Sequence, residues 1–321
     1  MATGMRERLV EALRAGELDG LHGVVVVQGG RTVLEHYGAG EDVSWATPLG
    51  MVQFGPGVLH DLRSVTKSVT ALLYGIALGE GLVPGPEEPL LPHFPEYADL
   101  AADPERARLT VEHALTMTLG LEWREDVPYD SPANAEIAME MAADRYRYVL
   151  ERPIVAPPGT EWSYCGGATA LLGKLIADGT GLTLPEYAAQ KLFAPLGIRE
   201  FGWLAGADGV ASAASGLRLD PRDLVKIGQL VLAKGDGIVP AEWIDTMLRP
   251  RFDTAWGARY GYQWYISEVA GHRLVAGMGN GGQRLVAVPD LDLAAAIVTG
   301  NYDAPDQARI PTLLLERVIL A

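Results

Sequence analysis

Residues 60–81 read His60-Asp61-Leu62-Arg63-Ser64-Val65-Thr66-Lys67-Ser68-Val69-Thr70-Ala71-Leu72-Leu73-Tyr74-Gly75-Ile76-Ala77-Leu78-Gly79-Glu80-Gly81. Ser64 and Lys67 stand three apart at the head of a strongly apolar run. That run predicts a buried helix, which Gly79 and Gly81 bring to an end. Residues i and i+3 share a helix face, so the Lys67 amine reaches the Ser64 hydroxyl without help from the rest of the chain. The first helical turn also presents unpaired N–H groups and the positive dipole end, where a developing oxyanion is stabilised. A hydroxyl, an amine and a helix start in this order describe an activated nucleophile. The same serine is also a common N-cap, which would leave it a structural role. Lysine usage bears on the choice. The chain holds five lysines, Lys67, Lys174, Lys191, Lys226 and Lys234, and otherwise uses arginine. An amine where a guanidinium is the habit suits a group that must release a proton.

The chain has 321 residues, of which 48% are hydrophobic and 21% charged. These are globular values with enough apolar content for a sizeable core. A net charge of −15 and a pI near 4.8 argue against a nucleic-acid or anionic-membrane partner, either of which needs a basic face. The single cysteine, Cys165, excludes an internal disulfide framework. Arg6, Glu7, Arg8, Glu11 and Arg14 give the first twenty residues an amphipathic, surface-helix pattern rather than that of a signal peptide. No apolar run reaches membrane-spanning length. As it stands the chain reads as soluble and cytoplasmic, or as periplasmic or secreted if a leader has been removed. No Cys/His cluster has metal-ligand spacing, so neither metal nor cofactor is expected.

Outward from the Ser64 helix, residues 23–28 and 32–36 are strand-like and joined by Gly29-Gly30-Arg31, a hairpin signature. A Gly- and Pro-bearing connection leads from there to Ser64. Helical patterns open at Thr110–Met117, Ala168–Ala177 and Leu184–Phe193. Another covers 220–233, with Asp220 as N-cap and Pro221 at the first position. Strand-like runs follow at 261–267, 272–276, 283–288 and 293–298, then an apolar helix over 310–320. The expected fold is α+β: an antiparallel sheet built from both chain ends, flanked by helices, with a mostly helical insertion. The whole of 1–321 is expected to form one domain, with 1–79 plus 206–321 as its α/β part and 80–205 as the helical insertion.

A serine–lysine pair needs a second proton carrier and an oxyanion site. Tyr164 is the candidate for the first, in Pro157-Pro158-Gly159-Thr160-Glu161-Trp162-Ser163-Tyr164-Cys165-Gly166-Gly167. A phenol with an ordinary pKa of about 10 serves as a base only beside a cation, and Lys67 would be that cation. A tyrosine before two glycines is otherwise a packed core aromatic. Gly277-Met278-Gly279-Asn280-Gly281-Gly282-Gln283 precedes a strand and allows substrate to approach backbone closely. The same glycines also fit a plain hairpin turn.

Taken in order, Ser-x-x-Lys, Pro-Gly-x-x-(aromatic)-x-Tyr-x-Gly-Gly and a Gly-rich turn before a C-terminal strand resemble the serine β-lactamase-like superfamily. Its members include class C β-lactamases, D-alanyl-D-alanine peptidases, family VIII esterases and nylon-oligomer hydrolases. The similarity takes in His60–Ser68, Thr110–Leu121 and Ala214–Leu224, and covers roughly residues 20 to 320. It implies a β-lactamase/transpeptidase-like fold and a serine hydrolase acting through an acyl-enzyme. Ser64 would be the nucleophile, with Lys67 and Tyr164 as general base and acid. The N–H groups of Ser64 and of Asn280, beside Gly279, would hold the oxyanion. Trp123, Tyr129 and Gln283 would stand along the substrate. Two departures matter: Gly166 stands where the family usually has Asn, and no Lys or His precedes Gly279. They favour a small-molecule ester or amide as substrate. β-Lactamase, D-aminopeptidase or D,D-peptidase activity, and a catalytically silent binding protein of the same fold, are the alternatives. His60, His113 and His272 read as structural.

Overall fold

The computed structural model describes residues 2–45, 47–129 and 131–321. Val24 to Val27 lie in the centre of β1 (Leu21–Gln28), which turns through Gly29 and Gly30, both at positive φ, into β2 (Arg31–Tyr37). A second hairpin, β3 (Ala39–Ser44) and β4 (Thr47–Gln53), occupies the connection toward Ser64. Its strands are largely exposed and lack apolar alternation, so periodicity does not mark them. Three short strands, β5 (His60–Asp61), β6 (Gly202–Trp203) and β7 (Leu217–Leu219), form a small sheet next to the nucleophile segment. The C-terminal part supplies β8 (Phe252–Asp253), β9 (Arg259–Tyr260), β10 (Tyr265–Val269), β11 (His272–Gly279), β12 (Gln283–Val288) and β13 (Leu293–Thr299).

The main sheet runs β2-β1-β13-β12-β11-β10-β9-β8, antiparallel throughout. β1 pairs directly with β13, so both chain ends build one sheet, as expected. The sheet is buried on both faces, which explains the unbroken Val24–Val27 run. Val24 and Val26 pack with residues of α1 (Ala2–Arg14) and of the C-terminal helix that starts as α10 (below). Val25 and Val27 face the opposite core, which includes α2 (Val65–Gly79). Between the two sheet-forming parts lie α3 (Val111–Thr116), α4 (Ala135–Glu140), α5 (Arg145–Leu150), α6 (Gly166–Thr180) and α7 (Leu184–Ala188). After β7 come α8 (Pro221–Leu232), capped by Asp220 as expected, and α9 (Ala241–Met247); α10 (Arg309–Leu313) follows β13. No described helix is long and apolar enough to cross a membrane.

Three boundaries differ from the sequence reading. The helices expected over 184–193 and 310–320 each change to a π-helical turn, at Ala189–Phe193 and Leu314–Ile319. The strand expected from 261 begins at Tyr265, because Gln263 sits at a φ of 60°. Its buried amide donates to the Ala114 and Leu115 carbonyls, and that bond requires a turn there.

The head of α2 is fastened from several directions. Thr66 Oγ1 donates to the Arg63 carbonyl and accepts the Leu217 N–H. Thr70 Oγ1 donates to Ala213, Ser68 Oγ to Gln263, and the Trp264 indole to Ser68. Behind this segment His22 Nδ1 lies 2.9 Å from His60 Nε2, and His22 stacks on Phe54. Burial lowers His22 to about 4 and puts His60 well below the usual histidine value. Both rings are neutral in the folded protein, whereas the unfolded chain takes up protons near pH ~6.5. Their stabilisation is complete above that value and is lost as pH falls from there toward about 4. Urea unfolding is expected to show a lower midpoint at about pH 5 than at about pH 7, with an unchanged slope. His22→Gln should weaken that difference.

Candidate active site

Ser64 stands just ahead of α2 with helical backbone angles, φ −67° and ψ −4°, and its side chain makes no capping hydrogen bond. Lys67 Nζ donates to Ser64 Oγ at 3.0 Å. The hydroxyl therefore faces the amine, not the helix end, and the capping role is ruled out. Arg63, immediately before it, has a φ of 48°, a left-handed conformation costing roughly 1–2 kcal/mol outside glycine. Asp61 stabilises the turn by accepting the Arg63 N–H at 3.0 Å and the Trp45 N–H at 2.8 Å. The Arg63 guanidinium closes the arrangement onto the Trp45 carbonyl at 2.5 Å.

Lys67 is 1% exposed. Besides Ser64 it donates to the Ala214 carbonyl at 3.1 Å, and Glu136 Oε2 lies 4.0 Å away. Tyr164 reaches the same point from the loop before α6: Lys67 Nζ sits 4.8 Å from its ring centroid, and Tyr164 and Ser64 line one cavity. The expectation that Lys67 lowers the Tyr164 pKa fails. Burial, followed by the charges of Glu125 and Glu136, pushes the phenol well above its usual value, against the smaller opposing effect of the neighbouring Ser64 hydroxyl. Tyr164 is a neutral phenol, able to donate a proton.

Those two acids are the part of the site that sequence reasoning missed. Glu125 Oε1 accepts the Gly166 N–H and the Trp123 indole N–H, each at 2.5 Å. Glu136, 1% exposed on α4, accepts from the Tyr129 hydroxyl at 3.2 Å. The available signal was Gly166: a glycine at the start of a buried helix marks a place where something else comes close.

On the other side of Ser64, β11 approaches α2 through two glycines. A Cβ at Gly277 would lie 2.8 Å from Ser68 Oγ, and one at Gly279 would lie 2.3 Å from the Leu62 carbonyl oxygen. Gly279 and Asn280 line a cavity of about 530 Å³ together with Ser64, Tyr129, Tyr164 and Trp256. Among the described residues, neither the Ser64 nor the Asn280 N–H donates a hydrogen bond. The Asn280 side chain is engaged with Asp303, at 3.0 Å in both directions.

Trp123 lines a neighbouring cavity of about 780 Å³, which shares Glu125, Tyr164 and Trp256 with the first. Gln283 does not stand along either cavity. It is fully buried, donating to the Thr299 carbonyl at 2.8 Å and accepting the Thr299 N–H at 3.1 Å, so it braces β12 against β13. Its neighbour Arg284 lines the Ser64 cavity instead, with burial lowering its guanidinium to about 10. His113 completes a capping box with Thr110, and His272 pairs with Asp290 at 2.5 Å. Among the described residues no group of three or more His, Cys, Asp or Glu side chains is placed to hold a metal ion.

A family model described as Beta-lactamase matches residues 7–318. The chain is 30% identical over 152 residues to a monacolin J acid methylbutanoyltransferase of Aspergillus terreus, taking in 43% of this chain and 36% of that one. The match thus spans little more than a third of that relative's length. Among solved structures, EstCE1, described as a hydrolase with promiscuous acyltransferase activity, superposes with a TM-score of 0.81 at 18% identity over 99% of each chain. An octameric penicillin-binding protein homologue from Pyrococcus abyssi gives 0.71 at 21% identity, over 97% of this chain and 76% of that one. At these identities the two structures establish a shared fold.

On this geometry Ser64 is expected to react with fluorophosphonates. Intact-protein mass spectrometry should show one adduct, absent in Ser64→Ala. In Lys67→Ala labelling should slow by roughly 10²-fold or more while the circular dichroism spectrum is retained.

Proposed function

The chain belongs to the beta-lactamase family, and we propose that it is a serine acyl-transfer enzyme, carrying the acyl group of a carboxylic ester or amide through Ser64 to water or an alcohol. The observation that carries this reading is the 3.0 Å contact of Lys67 Nζ with Ser64 Oγ at the head of a buried helix, opening onto a cavity of about 530 Å³.

In the forward step Ser64 Oγ bonds to the carbonyl carbon as its proton passes to the amine form of Lys67. The carbonyl oxygen, now negative, lies between the free N–H groups of Ser64 and Asn280. The C–O bond to the alcohol (or the C–N bond to the amine) breaks, and the Tyr164 phenol protonates the departing group. Tyr164 regains a proton from Lys67. The second half runs the same transfers in reverse, with water or an alcohol attacking the acyl-enzyme. The neutral state of Tyr164 supports its role as the acid that meets the leaving group.

An aromatic wall supports apolar substrates. Trp256, 62% exposed, packs edge-on to Trp162 at 5.4 Å and to Tyr164 at 5.8 Å between centroids, at the place where both cavities meet. The name of the Aspergillus relative and the description of EstCE1 both support an alcohol as an acceptor alongside water. Gly166 carries no amide beside Ser64, and Gly277-Met278-Gly279 brings no basic side chain, which disfavours β-lactam and D-peptide turnover on this reading.

Short-chain p-nitrophenyl esters are expected to be hydrolysed, with a chromogenic cephalosporin turned over far more slowly. Adding a primary alcohol should divert part of the acyl group to the new ester, seen by mass spectrometry. Ser64→Ala should abolish turnover, and Tyr164→Phe should lower kcat by roughly 10²–10⁴-fold. Rapid cephalosporin turnover with inert esters would reverse the substrate assignment. A wild-type protein that turns over none of these would be a binding protein of this fold.

A further inference from the structure

Gly166 begins α6 directly beside Lys67 and Tyr164, and two carboxyl groups fill the space over it. A Cβ at Gly166 would lie 2.8 Å from Glu125 Oε1 and 3.2 Å from Glu136 Cδ. The acids arrive from separate elements, Glu125 from the loop after α3 and Glu136 from α4. One oxygen of each is already engaged: Glu125 Oε1 by the Gly166 N–H, and Glu136 Oε2 by Tyr129 and, at 4.0 Å, by Lys67. The other two, Glu125 Oε2 and Glu136 Oε1, are buried and have no hydrogen-bond partner. Two buried carboxylates that crowd the same point over Gly166 do not readily both ionise, so one of them keeps a proton.

Resting on the acyl-enzyme reading above, we propose that Glu136 is a positioning residue for Lys67, and that Glu125 shares a proton with it so that the pair presents one negative charge to the amine. The groups facing the pair are Lys67 from α2, Tyr129 from the same loop, Tyr164 and Cys165 ahead of α6, Glu140 one turn along α4, and the phenols of Tyr260 and Tyr265. Lys67 is the cation among them. Burial and the neighbouring Glu136 raise Glu125 to about 8. Burial opposes the ionisation of Glu136, but the charge of Lys67 and the Tyr129 hydroxyl help bring it below the usual glutamate value. Near neutral pH the proton therefore rests on Glu125 and the charge on Glu136. Above about pH 8 Glu125 ionises as well. A second negative charge then stands beside the phenol of Tyr164 and holds its proton more firmly, and turnover falls.

The test is the pH dependence of kcat and KM for p-nitrophenyl butyrate, with wild-type, E136Q and E125Q measured together and checked by thermal unfolding. Wild type should lose activity above about pH 8, and E125Q should not, since an amide releases no proton in this range. E136Q should move the acidic limb of kcat to lower pH, because it removes the anion 4.0 Å from the amine, while KM stays nearly unchanged. A purely structural role would scale the profiles without moving either limb. If E136Q does not fold, E125Q decides the outcome by its alkaline limb. Profiles that superimpose on wild type after scaling overturn the inference and leave the parent reading intact. Absence of Ser64-dependent turnover in wild type overturns both.

Discussion

A buried amine is the constraint around which this molecule is arranged. Lys67 is 1% exposed, and an ammonium taken out of water without partners costs several kcal/mol. The fold answers with one partner from each direction: Ser64 from its own helix, the Ala214 carbonyl from the segment before β7, and Glu136 from α4. The last two are brought in by segments far away in sequence. The hydroxyls of Thr66, Ser68 and Thr70 fasten the helix that carries the amine, using the same neighbouring segments. Tyr164 then inherits its state from the same charges. Its phenol stays neutral because it is buried and stands beside two acids.

Two backbone features shape the space around Ser64. The left-handed Arg63 turns the chain so that Ser64 enters α2 with its hydroxyl directed at Lys67. Asp61 stabilises the turn through backbone N–H groups that would otherwise be orphaned. On the opposite side, Gly277 and Gly279 let β11 lie closer to α2 than any side chain allows. The consequence is a narrow gap with an unpaired N–H on each side, and this geometry suits a tetrahedral oxyanion.

The legible part of the fold was the part with strong local periodicity. The Val24–Val27 run, the Asp220-Pro221 helix start and the apolar stretch after Ser64 all form the elements their patterns describe. The β3–β4 hairpin and the three-strand sheet at His60 escaped notice because they are short or largely exposed, and nothing in their composition alternates. At the site, the Ser64–Lys67 contact was readable because helical spacing alone produces it. The acids were not, since Glu125 and Glu136 meet only after α4 docks against the start of α6. Gln283 shows the same limit in reverse. Its place beside a Gly-rich turn suggested substrate, yet a strand-end amide opposite Thr299 is used up in joining two strands.

The pairing of β1 with β13 bears on how the enzyme is born. Ser64 and Lys67 leave the ribosome early, but the carbonyl beside the amine comes at residue 214 and the strand that faces the hydroxyl ends at 279. The central strand that holds β1 and β12 together spans 293–299. Such long-range pairing forms late in folding. A chain ending before these segments therefore lacks the groups that surround Ser64 and Lys67 in the folded protein.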